Sequence, residues 1–248
     1  MEALLFVSAA VLGGAVKGFT GFGYALVATS FLSLYLDPGR AVAVMIVPMF
    51  AANLDLLVES GVRNSMRKLL EFRSLMIGLF PGVVLGTMGA AAVPEKLLRV
   101  VIGAFAIGFA LSRAGVLSEY FESFRKVCFR PYESVVGAGS GLIYGSMNIG
   151  LPFVTYLKSR DMPEEQFRSV LAATVLIGSL IRIPLASGTG LYSSTGDLVL
   201  SLAISVPAVA SVSLASRLSA KVPSRLSRKL SLALIAAVGL RLLTSLTV

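Results

Sequence analysis

Apolar residues run along this chain in long unbroken stretches, and the polar residues gather between them. The longest runs are 41–58, 74–93, 97–112, 169–186, 198–215 and 230–246. Most approach the ~20 residues that a helix needs to cross about 30 Å of hydrocarbon. Barrel strands would alternate over about 10 residues instead, so the pattern predicts helices. A further apolar region surrounds GAVKGFTGFG (14–23), with LLFVSAAVLG before it and YALVATSFLSLYL after it. The expected fold class is an all-α polytopic membrane protein. Met1-Glu2 lacks the basic stretch that opens a signal peptide, so the first apolar segment is expected to stay.

Composition agrees and removes several functions. Of the 248 residues 56% are hydrophobic and 14% charged, against roughly 25% charged in a soluble domain. The net charge of +9 reads as topology, because cytoplasmic loops of membrane proteins collect Lys and Arg; no nucleic-acid partner is expected. There is no histidine and one cysteine, Cys128, in the basic run FRKVCFRPY. That excludes an intramolecular disulfide and predicts neither a metal site nor a cofactor. No nucleophile–base constellation and no acidic pair within a span suggest an enzyme.

The chain repeats itself. GAVKGFTGFGYA (14–25) aligns with GLIYGSMNIGLP (141–152), placing Gly14, Gly18 and Gly23 on Gly141, Gly145 and Gly150. Gly21 meets Asn148, and both residue types enter left-handed backbone conformations at low cost. Downstream, Arg40 aligns with Arg168 and Arg99 with Arg228, the offset drifting only from 127 to 129. The predicted organisation is a first repeat at 1–115, a basic cytoplasmic linker at 116–132 and a second repeat at 133–248.

Charge decides the expected handedness. Four connections hold 16 of the 22 basic residues: 63–73, 113–130, 158–168 and 217–229. If each glycine-rich segment were a single span, these charges would divide equally between the two faces. If each segment enters and returns on one side, all 16 share a face, as the positive-inside rule prefers. This predicts two inverted repeats, each a broken glycine-rich hairpin followed by three transmembrane helices. Half-helices and full tilted spans both remain open for the hairpin arms.

Inverted repeats with broken helices at matching positions are a feature of secondary transporters, whose substrates meet unwound backbone near the midplane. The competing explanation for the glycines is close helix packing of the GxxxG kind. Lys17 interrupts the first glycine motif, where a charge is costly unless paired or hydrated. It either snorkels to headgroups or supplies charge to an anion site. Arg182, inside LIGSLIRIPLA, has the same two readings, and a guanidinium can grip an oxyanion with two donors. The candidate substrate-binding set is Lys17, Thr20, Gly21, Gly23, Tyr144, Ser146, Asn148, Gly150 and Arg182. Asp55 either carries a coupling proton, pairs with one of the cations, or marks a helix end beside Glu59. Pro48, Pro81, Pro184 and Pro207 lie within the apolar runs and are expected to kink them.

With GAVKGFTGFG and DPGRAVAV in one half, and GSGLIYGSMNIGLP and RSVLAATVLIGSLIR in the other, the chain resembles the TauE/SafE family of membrane proteins. The family's break is glycine-rich and followed by a proline in each half. Here the first copy reads GFGYAL without that proline, and the second keeps Pro152 but has NIG in place of a glycine triplet. The resemblance implies transport of sulfur-containing anions such as sulfite, sulfonates or sulfoacetate. The expectation is a small-anion transporter working by alternating access, with export favoured. It would cross the plasma (inner) membrane of a prokaryote, its partners being the anion and the bilayer, with a homo-oligomer left open. An anion channel and a non-catalytic scaffold subunit are the alternatives.

Overall fold

The computed structural model describes residues 2–59, 61–113, 132–158, 160, 162–219 and 224–245. Cys128 and nearly all of the basic linker fall outside them. The described residues form α-helices joined by short connections, with one 3-10 turn at Ala90–Ala92 and no strand. The first half contains α1 (Glu2–Thr20), α2 (Tyr24–Leu32), α3 (Pro38–Val44), α4 (Ile46–Glu59), α5 (Val62–Leu70), α6 (Arg73–Gly89) and α7 (Glu95–Arg113). The second half contains α8 (Glu133–Met147), α9 (Leu151–Lys158), α10 (Glu164–Gly188), α11 (Thr195–Ser219) and α12 (Ser224–Thr244).

Among the described residues, five stretches have the length and apolar composition to cross a membrane: Glu2–Thr20, Pro38–Val58, Arg73–Ala92, Glu165–Gly188 and Thr195–Ser219. With 19 and 21 residues, α7 and α12 are as long, but more charges crowd their starts. Large apolar side chains point out of the bundle as well as into it, among them Leu4, Ile77, Leu85, Val199 and Val206. In water that would be unfavourable; against lipid tails it is the expected surface.

The element order recurs. A long helix, a break and a short helix (α1/α2) are followed by α3–α4, α6 and α7; α8/α9 are followed by α10, α11 and α12. The amphipathic α5 has no counterpart among the described residues. In each hairpin the arms are unequal, with 19 and 9 residues in the first and 15 and 8 in the second. At ~1.5 Å per residue the short arms reach about 12–14 Å, half a bilayer core. The ends of each hairpin meet: Arg40 pairs with Glu2 at 3.5 Å, and Arg160 with Glu133 at 3.4 Å.

Packing recurs with the same offsets. A methyl placed on Gly18 of α1 would lie 2.7 Å from Val212 O of α11, and one on Gly145 of α8 would lie 2.5 Å from Val83 O of α6. The α6–α8 contact is the closest of these. Gly78, Gly82 and Gly86 press against Ser134, Ala138 and Leu142, while Gly137, Gly141 and Gly145 press against Leu75, Leu79 and Val83. Small residues every fourth position let two backbones approach where no hydrophobic drive exists between helices. The packing explanation therefore holds for Gly14, Gly18, Gly141 and Gly145, the first half of each glycine motif.

Three of the four prolines lie inside α6, α10 and α11. Pro48 sits in the first turn of α4, just past an interruption at Met45. Lacking an N–H, Pro48 cannot serve the carbonyl of Val44, and Ser201 Oγ of α11 donates to it instead at 2.7 Å.

Candidate functional site

The second half of each motif does something different: it breaks the helix. At the end of α1, Gly21 and Gly23 take φ of 81° and 90°, and at the end of α8, Asn148 takes φ of 60°. Asn148 is the only non-glycine residue with positive φ among those described. Both expected left-handed positions, Gly21 and Asn148, are thus occupied as such, and a β-branched residue at either would be strained. The breaks are closed locally, with Gly21 N–H donating to Lys17 O at 2.7 Å and Asn148 N–H to Tyr144 O at 3.1 Å.

The two breaks face one cavity of about 70 Å³, room for a small ion with a few waters. Lys17, Gly21 and Gly23 line it from the first hairpin, and Tyr144, Asn148 and Gly150 from the second. α4 contributes Asn53 and α10 contributes Val175. Asn53, a polar amide inside the apolar run 41–58, was not among the sequence candidates. Its position in a span was the signal that could have found it.

Lys17 is buried, at 3% exposure, and its Nζ donates to Ala52 O at 2.9 Å. It does not snorkel to the outside. At the related place in the second repeat stands Tyr144, whose hydroxyl lies 3.2 Å from Ser179 Oγ and 3.2 Å from Val175 O. Lys17 with Ala52, and Tyr144 with Ser179, are the same pair of positions 127 residues apart. The first half has an ammonium where the second half has a phenol.

Arg182 is fully buried and also does not snorkel. Its Nη1 donates to Asn148 Oδ1, and its guanidinium lies over the Tyr144 ring, 5.2 Å from the centroid. Asn148 Nδ2 in turn donates to Val42 O at 2.8 Å. The Nε and Nη2 of Arg182 have no hydrogen-bond partner among the described residues. Leaving buried donors unmade costs about 1–3 kcal/mol, and more when charged. Arg182 does not line the cavity; it stands behind Asn148 and Tyr144, which do.

Thr20 and Ser146 are placed elsewhere. Thr20 Oγ1 lies 2.7 Å from both Val16 O and Phe22 O, closing the end of α1, and Ser146 Oγ donates to Leu142 O of its own helix at 2.8 Å. Neither lines the cavity. Asp55 belongs to α4, but its side chain lies outside the described residues. No group of three or more metal-ligating side chains occurs among the described residues.

The comparisons with known proteins give one positive result. The family described as "Sulfite exporter TauE/SafE" matches residues 6–242, nearly the whole chain. No curated protein and no solved structure gives a significant match.

Proposed function

The chain belongs to the sulfite exporter TauE/SafE family, and on that premise we propose that it carries small anions, sulfur oxyanions foremost, through the cavity between its two hairpin breaks. The family is one of transporters. The observation that carries the reading is Lys17: a buried ammonium on a small cavity, beside backbone that two helix breaks have unwound. Breaks of that kind at membrane depth are tolerated where they line a cavity. Arg182 adds a second buried cation one side chain further back.

The proposed mechanism is alternating access by two inverted repeats. Several contacts support the inversion. The first hairpin's ends meet near Asp197, at the start of α11, through Arg40 (2.9 Å). The second hairpin's start meets the start of α6, where Ser134 Oγ donates to Ser74 O at 2.8 Å. α3–α4, about 33 Å long at ~1.5 Å per residue, separates those two ends. Basic connections on one face and the basic-free 187–196 connection on the other then follow the positive-inside rule. With the inside about 100 mV negative, a monovalent anion gains about 2.3 kcal/mol by leaving, so export needs no coupling ion.

Thermal stabilisation of the detergent-purified chain by sulfite, thiosulfate, sulfoacetate, taurine, acetate and chloride tests the reading. A ligand at 100 times its dissociation constant adds about 2.7 kcal/mol. Stabilisation by sulfur oxyanions that disappears in Lys17→Ala is expected; a folded Lys17→Ala protein that responds like wild type would refute the role given to the lysine.

A further inference from the structure

One stripe of α10 faces the central cavity. Leu171 and Val175 line it, and Arg168 and Arg182 lie before and after them on the same helix. At ~3.6 residues per turn, these four positions fall within about 60° of one another around the helix axis. The stripe therefore carries a guanidinium at each end, about 21 Å apart at ~1.5 Å per residue. Leu171 and Val175 occupy the cavity wall between them.

Each guanidinium meets one of the two helix breaks. Arg182 Nη1 donates to Asn148 Oδ1. At the other end, a methyl placed on Gly21 would lie 3.1 Å from Arg168 Nε and 3.4 Å from its Cζ and Nη2. Gly21 and Asn148 are the aligned left-handed positions of the two halves, and both line the cavity. Glycine at position 21 thus serves twice. Its φ of 81° breaks α1, and its missing side chain leaves room for the edge of a guanidinium. Arg168 is half-buried, whereas Lys17 and Arg182 are buried, so the Arg168 end of the stripe is the one that solvent reaches.

We propose that Arg168 is the entry residue of the anion path, a guanidinium at the mouth of the Lys17 cavity that takes the arriving oxyanion and hands it past Gly21 to the lysine. This rests on the anion-transport reading and on the cytoplasmic placement of the 158–168 connection, which Arg168 ends; an exported anion arrives from that face. A guanidinium has five N–H donors, so Arg168 can hold a protein partner on one edge and an oxyanion on another. It stays charged at any working pH, and a cation at the mouth of a cleft raises the local concentration of anions. The order of exposure suits the task. The anion meets a positive charge at half-buried Arg168 before it sheds its water beside Lys17, which is 3% exposed.

Radiolabelled sulfite flux through the full chain tests this, in sealed vesicles of one orientation with sulfite supplied on the face of the 158–168 connection. Wild type, Lys17→Ala, Arg168→Gln and Arg168→Lys are compared at low and high ionic strength. Arg168→Gln should raise KM about tenfold at low ionic strength, the loss of one charge-assisted contact. Its maximal rate should change little, as expected when a binding contact alone is removed. High ionic strength should narrow the gap to wild type, because salt screens a partly exposed charge. Arg168→Lys keeps the charge without the planar fork, so its KM should rise only about threefold, and it reads the residue even if Arg168→Gln fails to fold. Wild-type KM in the folded Arg168 variants, or a fall in maximal rate and melting temperature with KM unchanged, would overturn the entry role. Transport lost in Lys17→Ala would then leave the central site standing. No sulfite flux through wild type would overturn the central reading and the entry role with it.

Discussion

Asn148 shows how much one residue can be asked to do. Its backbone adopts the left-handed conformation that ends α8, and its side chain joins Arg182 to the carbonyl of Val42. The two roles separate by substitution. Asn148→Gly keeps the backbone conformation at low cost and loses the side-chain bonds, worth about 1–3 kcal/mol where a charge is involved. Asn148→Val loses the same bonds and adds about 1–2 kcal/mol of left-handed strain. The expected order of melting temperature is wild type, then glycine, then valine; a valine protein as stable as the glycine one would show that the backbone conformation is not imposed by the fold. Lys17 belongs to the same scale. Its identity was visible in sequence, but whether its charge lay inside or at a headgroup depended on which carbonyl it found, and that is Ala52 O, 35 positions away.

At the scale of elements, the glycines divide by what their missing side chains permit. A methyl on Gly141 would stand 2.1 Å from Leu79 O, while one on Gly139, two residues earlier on the same helix, would meet nothing within 4 Å. Gly139→Ala should therefore be neutral or stabilise by up to about 1 kcal/mol through helix propensity. Gly141→Ala must push α6 and α8 apart and should lower the melting temperature sharply or prevent accumulation. Similar stability of the two alanine variants, measured side by side in detergent, would contradict the α6–α8 contact. The same division runs through both motifs: Gly14, Gly18, Gly141 and Gly145 pack helices, whereas Gly21, Gly23 and Asn148 shape the break. In sequence they form one pattern, because spacing records that a small residue is needed without saying whether a carbonyl or a turn requires it.

For the whole molecule, the decisive question is on which faces the hairpins open. Single cysteines at Asp37 and Arg160, in a Cys128→Ser background, report it directly, since each lies at the open end of its hairpin. In sealed membrane vesicles of one orientation, an impermeant thiol reagent should label one position and spare the other. Labelling of both from the same side would exclude inverted repeats and, with them, alternating access of the proposed kind. The element order and offsets recur between the two halves; the labelling experiment asks how they are turned.

Sequence by itself determined the medium, the helical class and the places where helices break. Those properties are local: run length sets what can cross hydrocarbon, and glycine and asparagine mark where backbone can reverse. It also put Lys17 and Arg182 forward, because a charge inside an apolar run is conspicuous wherever it occurs. Only the tertiary structure decided that Thr20 and Ser146 turn their hydroxyls to their own chain, that Asn53 lines the cavity, and that Asn148 holds Arg182. The reason is range. Which donors end up paired depends on helices brought together from distant parts of the chain, and a hydroxyl looks the same in sequence whether it bonds its own helix, as that of Ser146 does, or another, as that of Ser201 does.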